Sequence, residues 1–157
     1  MTTGDARIRH YRETDRGVVL ALVEGILIEF GFDAAKVARV ARDLDDPDGL
    51  YRAPRSGFWV AERDGHVVGS VAIRRKDDGT AELKRLYLRA DERGTGLGQR
   101  LFAHAETFAR LSGYTRLWLD SSRRFGRAHR LYQRNGFVLV AELDNDWEDS
   151  IYEKSLV

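Results

Sequence analysis

The stretch "DERGTGLGQRL", residues 91–101, places three glycines within five positions, after an apolar run and before a segment with helical periodicity. A strand entering a glycine loop and then a helix presents free backbone N–H groups and the positive end of a helix dipole, which suits a phosphate. A P-loop needs Gly-Lys-Ser/Thr at its end, whereas Gln99 and Arg100 follow Gly98. A dinucleotide fingerprint would need its third glycine where Gln99 stands, although Asp120 ends the next strand about where a ribose-binding acid would sit. About sixty residues follow the loop, too few to complete a doubly wound sheet.

Immediately before the loop, "AELKRLYLR" reads as a strand in which Leu83 is out of phase with Leu86 and Leu88. A β-bulge near Lys84 and Arg85 would return all three leucines to one face; alternatively, Leu83 faces a second layer of a sandwiched sheet. Upstream, "GFWVAERDGHVVGSVAIRR" is two β-rich runs joined by Asp64-Gly65, a pair that tolerates a type I′ turn. "KDDGT" makes the next turn, so three strands form a meander. Still earlier, "ARIRHYRE" alternates like a short strand. Val18 to Phe30 recur at helical spacing from a cap near Thr14 or Asp15, and "AAKVARVARDL" repeats that pattern with Val37, Val40 and Leu44 on one face.

Downstream of the loop, Leu97, Leu101, Ala105, Phe108 and Leu111 form a helical stripe that ends before Gly113. A short strand "YTRLWLD", a helix "GRAHRLYQRN" and two closing strands follow. The order is one strand, two helices, a three-stranded meander, then helix, strand, helix, strand, strand. It describes an α/β (α+β) domain over residues 1–157, with a mixed sheet and packed helices.

Composition narrows the function. With 26 basic and 25 acidic side chains the net charge is +1, so no large footprint for nucleic acid or an anionic membrane is expected. The chain has no cysteine, which excludes a disulfide framework, a thiolate metal site and a cysteine nucleophile. His10, His66, His104 and His129 fall on different elements without ligand spacing, so no metal is expected. No segment approaches the roughly 18 apolar residues of a membrane span, and the N-terminal residues lack a signal-like apolar core. The expectation is a cytoplasmic protein.

The loop, with Arg93, Gly94, Thr95, Gly96, Leu97 and Gly98, resembles the acyl-coenzyme A motif R/Q-x-x-G-x-G/A of the GCN5-related N-acetyltransferases, the GNAT family. The meander hairpin, the strand before the loop and the helix after it occur in the family's order. The late signature A-x-x-L-Y-x-x-x-G-F is matched at Ala128, Leu131, Tyr132, Gly136 and Phe137. The resemblance implies the GNAT fold: a mixed, mostly antiparallel twisted sheet of about six to seven strands, helices on both faces and a bulged fourth strand.

It also implies an enzyme that transfers an acetyl group from acetyl-CoA, as co-substrate, to a primary amine of a small molecule or peptide. The attack is direct, in a ternary complex, without metal. The alternative is a non-catalytic acyl-CoA binding or sensing module on the same fold. By resemblance, the backbone from Arg93 to Gly98 holds the coenzyme pyrophosphate, and Leu86, Tyr87 and Leu88 pair with the pantetheine arm. The Leu88 N–H serves as oxyanion donor. Tyr132 corresponds to a tyrosine that protonates the leaving thiolate, its alternative being a packing aromatic; Glu82 corresponds to a general base in several members, its alternative being a solvated carboxylate. A homodimer is compatible with the resemblance.

One position departs from the pattern. Phe125 stands where many members have a coenzyme-contacting asparagine. Around it, Arg123, Arg124, Arg127 and Arg130, together with Arg100, are candidates for coenzyme phosphates or a solvated basic helix end. "ELDNDWEDS" (142–150) is either an acidic attractor for a cationic acceptor or a solvated turn.

Overall fold

Seven strands form one sheet in the order β1-β2-β3-β4-β5-β7-β6 in the computed structural model, which describes residues 4–157. They are β1 (Arg7–His10), β2 (Gly57–Arg63), β3 (His66–Arg75), β4 (Thr80–Leu88), β5 (Arg116–Ser121), β6 (Val138–Glu142) and β7 (Ser150–Ser155). All neighbours are antiparallel except β4 and β5. Helices α1 (Arg16–Glu29) and α2 (Ala34–Leu44) cover one face, and α3 (Leu97–Leu111) and α4 (Gly126–Arg134) the other. The GNAT-type architecture expected from the sequence is thus present, with seven strands.

Strand alternation explains the two cores. Along β2, Phe58 and Val60 point to the α1/α2 side, and Trp59 and Ala61 to the α3 side. Val19, Val23 and Leu27 of α1 join Val40 and Leu44 of α2 in the first core; Leu97, Leu101, Phe102, Ala105 and Ala109 of α3 fill the second. Phe108 packs against that second core, but Leu111, expected on the same stripe, lies past the last turn that faces the sheet and is 84% exposed. Local signals set the boundaries. Asp33 caps α2 by accepting from the Lys36 N–H at 3.0 Å. Asp15 precedes α1, but its carboxylate is taken by the Arg9 guanidinium at 2.8 and 2.9 Å and by the Arg12 N–H. Asp64 and Gly65 both have positive φ, 52° and 81°, as a type I′ turn requires.

The bulge lies on β4. Ser70 pairs with Tyr87 and Ala72 with Lys84, so β4 carries one extra residue between them. Arg85 takes the left-handed backbone, φ 57°. The fully buried Ser70 donates from Oγ to the Arg85 carbonyl at 2.7 Å, satisfying a group that the ladder leaves free. Leu83, Leu86 and Leu88 all reach the α3-side core, so the bulge, rather than a second layer, accounts for the leucine phase.

Arg85 is anchored from the other side. Its guanidinium pairs with the Asp43 carboxylate of α2 and donates to the Tyr51 hydroxyl at 3.1 Å, while Tyr51 donates to Asp43 at 2.7 Å. Burial opposes the Asp43 charge, but Arg85, Tyr51 and Lys84 outweigh it and hold the carboxyl at about 2. Its stabilising contribution is therefore complete above the ordinary carboxylate range and is lost as pH falls through about 2. Asp43→Asn leaves a buried guanidinium without a counter-charge, an expected cost of about 3 kcal/mol. Thermal melting at neutral pH should show a midpoint lower by roughly 6–12 °C, with the difference from wild type shrinking at the acid extreme.

Candidate active site

The parallel pairing of β4 with β5 covers only Thr80–Glu82 against Arg116–Trp118. Beyond Glu82 the strands part, and the β4 edge facing β5 has no strand partner there. A cleft of about 530 Å³ occupies this fork and extends to the glycine loop. It is lined by Leu83–Leu88 of β4, Asp120–Ser122 after β5, Tyr132 and its neighbours on α4, Phe30, Phe32 and Lys36 from the α1/α2 side, and Trp147 and Glu148 before β7.

The loop closes one end. Arg93, Gly94, Gly96 and Gly98 line the cleft, and Gly94 and Gly96 have φ of 79° and 89°. Gly96 precedes α3 and has no side chain to cap it; the Leu97 N–H donates to Thr95 Oγ1 at 3.4 Å, while the Gly98 and Gln99 amides of the first turn remain available to an anion. The side chains of Thr95 and Leu97 turn away: Thr95 Oγ1 donates to the Glu92 carbonyl at 2.7 Å, and Leu97 is buried in the core. The loop is braced from beneath by Glu92, buried and paired with Arg63 of β2 at 2.8 Å.

The arginines divide. Arg127 and Arg130 line the cleft, as does Arg134 from the same helix. Arg123 pairs with Asp149, Arg124 donates to the Gly31 carbonyl, and Arg100 donates to the Ala6 carbonyl at 2.7 Å. Those three do not serve the cleft's phosphate end by their present contacts. Phe125 packs near Phe30 and Phe32, at ring-centre distances of 5.0 and 5.5 Å, making an apolar wall where the family pattern has an asparagine.

Leu86, Tyr87 and Leu88 all border the cleft. Tyr132 enters from the α4 side and is 7% exposed; its hydroxyl has no hydrogen-bond partner among the described residues. Burial first, then Tyr87, Tyr152 and Asp120, push its phenol well above the ordinary value. The phenol therefore stays protonated over the physiological range and can act as a donor.

Glu82 occupies the last paired position before the fork and sits 3.4 Å from the Lys84 ammonium, but it does not line the cleft. Asp120 does. It follows Trp118, the register partner of Glu82, by two residues, so it shares the face of Glu82 and Lys84. In the sequence Asp120 has meaning only against a dinucleotide fold; its relation to Glu82 depends on the parallel register. From the acidic turn, Glu148 pairs with Lys36 and Arg39, and Asp149 with Arg123. Among the described residues no cluster of three or more His, Asp or Glu is arranged to hold a metal ion, and no helix is long and apolar enough to cross a membrane.

A model of the acetyltransferase (GNAT) family matches residues 20–137. The N-acetylaspartate synthetase of Danio rerio is 37% identical over 105 residues, which are 66% of this chain and 37% of that protein. The chain thus spans little more than a third of the length of that relative. A crystal structure of an acetyltransferase from Streptococcus agalactiae superposes with a TM-score of 0.84 at 29% identity, covering 97% of this chain and 99% of that one. An N-acetyltransferase from Thermoplasma acidophilum, solved in complex with coenzyme A, shares the fold with a TM-score of 0.76 at 19% identity, covering 97% and 99%.

Proposed function

Because the chain belongs to the GNAT family of acetyltransferases, we propose that it transfers an acetyl group from acetyl-CoA to a primary amine of a small molecule or peptide, by direct attack in a ternary complex. The observation that carries the reading is the fork between β4 and β5, which joins an anion cradle at one end to ionisable groups at the other. The neighbour from Thermoplasma acidophilum, solved with coenzyme A on the same fold, supports it.

In this reading the loop amides from Arg93 to Gly98 hold the pyrophosphate, with Arg127, Arg130 and Arg134 nearby as counter-charges. The pantetheine arm lies along the unpartnered edge at Leu86, Tyr87 and Leu88 as an added strand would. The Leu88 N–H meets the oxyanion that forms at the thioester carbonyl. Tyr132 gives its proton to the leaving thiolate. The raised phenol stays protonated until the C–S bond breaks, and its hydrogen bond to sulfur strengthens as negative charge develops there, since a free thiol's ordinary pKa is about 8.5. Glu82 and Asp120 form the carboxylate side, where the acceptor's ammonium loses its proton.

The test is thiol release from acetyl-CoA with a panel of amines: L-aspartate, other amino acids, spermidine, kanamycin and short peptides. L-aspartate is included because a relative is named N-acetylaspartate synthetase. At least one amine should raise thiol release tenfold or more over the rate without acceptor. Coenzyme binding without acceleration by any amine would favour a non-catalytic acyl-CoA sensor, the reading to which the replacement at Phe125 lends weight.

A further inference from the structure

We propose that Asp120 is the residue that receives the acceptor's ammonium in the fork and takes its proton, with Glu82 acting behind it as a positioning residue. The assignment rests on the transfer reading above and deepens it.

Three observations carry it. First, position: Asp120 lines the cleft at the point where β5 leaves β4, whereas Glu82 lies at the last paired register and does not. Second, charge pairing: each other carboxylate near this end already has a cation. Glu82 faces Lys84, Glu148 faces Lys36 and Arg39, and Asp43 faces Arg85 and Arg74. Asp120 forms no ion pair among the described residues, so a cation arriving in the fork meets an uncompensated carboxylate. Third, placement relative to Tyr132: Asp120 shares the sheet face of Glu82 and Lys84, Tyr132 belongs to the core on the α3/α4 side, and both line the cleft. A thioester lying in the fork would have the base on one side and the acid on the other.

The groups facing Asp120 are Glu82 and Lys84 of β4, Glu148 before β7 and Tyr132 of α4. Desolvation, then Glu82 and Glu148, raise its carboxyl above the ordinary value, while Lys84 opposes them. A carboxylate with negative neighbours and no ion-pair partner attracts a cation and accepts a proton more readily than one already paired.

The ammonium gives one proton to Asp120, and the neutral nitrogen attacks the carbonyl carbon. The tetrahedral adduct collapses with C–S cleavage as Tyr132 protonates the thiolate sulfur, and the phenolate recovers a proton from the nitrogen that becomes the amide. Asp120 releases its proton to water, so the cycle yields amide, coenzyme A thiol and one proton.

The experiment compares wild type, Asp120→Asn and Glu82→Gln, using acetyl-CoA and whichever of L-aspartate, spermidine, kanamycin or a short peptide the wild type acetylates fastest. An enzyme that binds the ammonium and deprotonates it on Asp120 shows a kcat/KM that is flat between the Asp120 pKa and that of the ammonium. Asp120→Asn should lower kcat/KM near neutrality about a hundredfold and replace the plateau with a climb of tenfold per pH unit, as only the rare neutral amine reacts. Coenzyme affinity, measured by calorimetry, should stay within twofold. Glu82→Gln should keep the plateau and shift its acid limb to lower pH, because a negative neighbour of Asp120 is gone. The assignment is overturned if Asp120→Asn retains the plateau and rate, or if Glu82→Gln alone abolishes the plateau. Wild type inert toward every acceptor overturns the transfer reading and this assignment with it, an outcome distinct from an active wild type with an indifferent Asp120.

Discussion

Gly96→Val is expected to weaken coenzyme A binding by more than a hundredfold while leaving the protein folded. Gly96 stands at the entry to α3 with φ 89°, and a Cβ built there meets no heavy atom within 4 Å. A valine would therefore not collide with the protein; its side chain would occupy open space at the edge of the proposed phosphate cradle. Two effects combine. The branched side chain obstructs the approach of phosphate to the loop amides, and a β-branched residue at positive φ favours a backbone that points those amides elsewhere. The strain alone is worth on the order of 1–3 kcal/mol, so melting should drop by roughly 2–12 °C. Gly65→Val separates the two effects: Gly65 also has positive φ, 81°, and open space, but lies in the β2–β3 turn. The control should lose similar stability and keep coenzyme affinity. Calorimetric titration of both variants checks this, and a normal dissociation constant for Gly96→Val would remove the loop from coenzyme binding.

Tyr132→Phe should lower kcat by one to three powers of ten with coenzyme affinity changed less than threefold, as expected for loss of a proton donor that acts in the transition state. The variant is a clean probe here. The phenol has no hydrogen-bond partner to strand among the described residues, and the ring keeps its contacts with Phe137 and Tyr152, so folding should be unaffected. Because burial holds the phenol protonated across the physiological range, the wild-type rate should not fall through ionisation of Tyr132 until well into the alkaline region. Stopped-flow thiol release at saturating acetyl-CoA measures the chemical step; an unchanged rate in the phenylalanine variant would assign Tyr132 to packing.

Most of the element order could be read from local pattern, because helix and strand periods and the Asp64-Gly65 turn act over a few residues. The limits of α2 agree with the segment read as a helix, and the leucine phase located the bulge to within a residue. Leu111 shows where periodicity misleads: a stripe read by apolar character extends past the turn that still faces the sheet. For the site, the motif placed Gly94, Gly96, Gly98 and Tyr132 on one cleft, but Thr95 and Leu97 contribute no side chain to its lining.

The kind of fold and the proposed phosphate cradle are thus written in short spacings of glycine, apolar residues and turns, which lie within local windows of the chain. Which carboxylate enters the fork is not. Glu82 and Asp120 lie far apart along the chain and become neighbours through a parallel pairing only three residues long, after which the strands diverge. The same holds for which arginines are free, since Arg100, Arg123 and Arg124 are committed to partners that no local pattern could foretell. Register and charge pairing are properties of residues brought together by the whole chain, so the local sequence around each residue does not contain them.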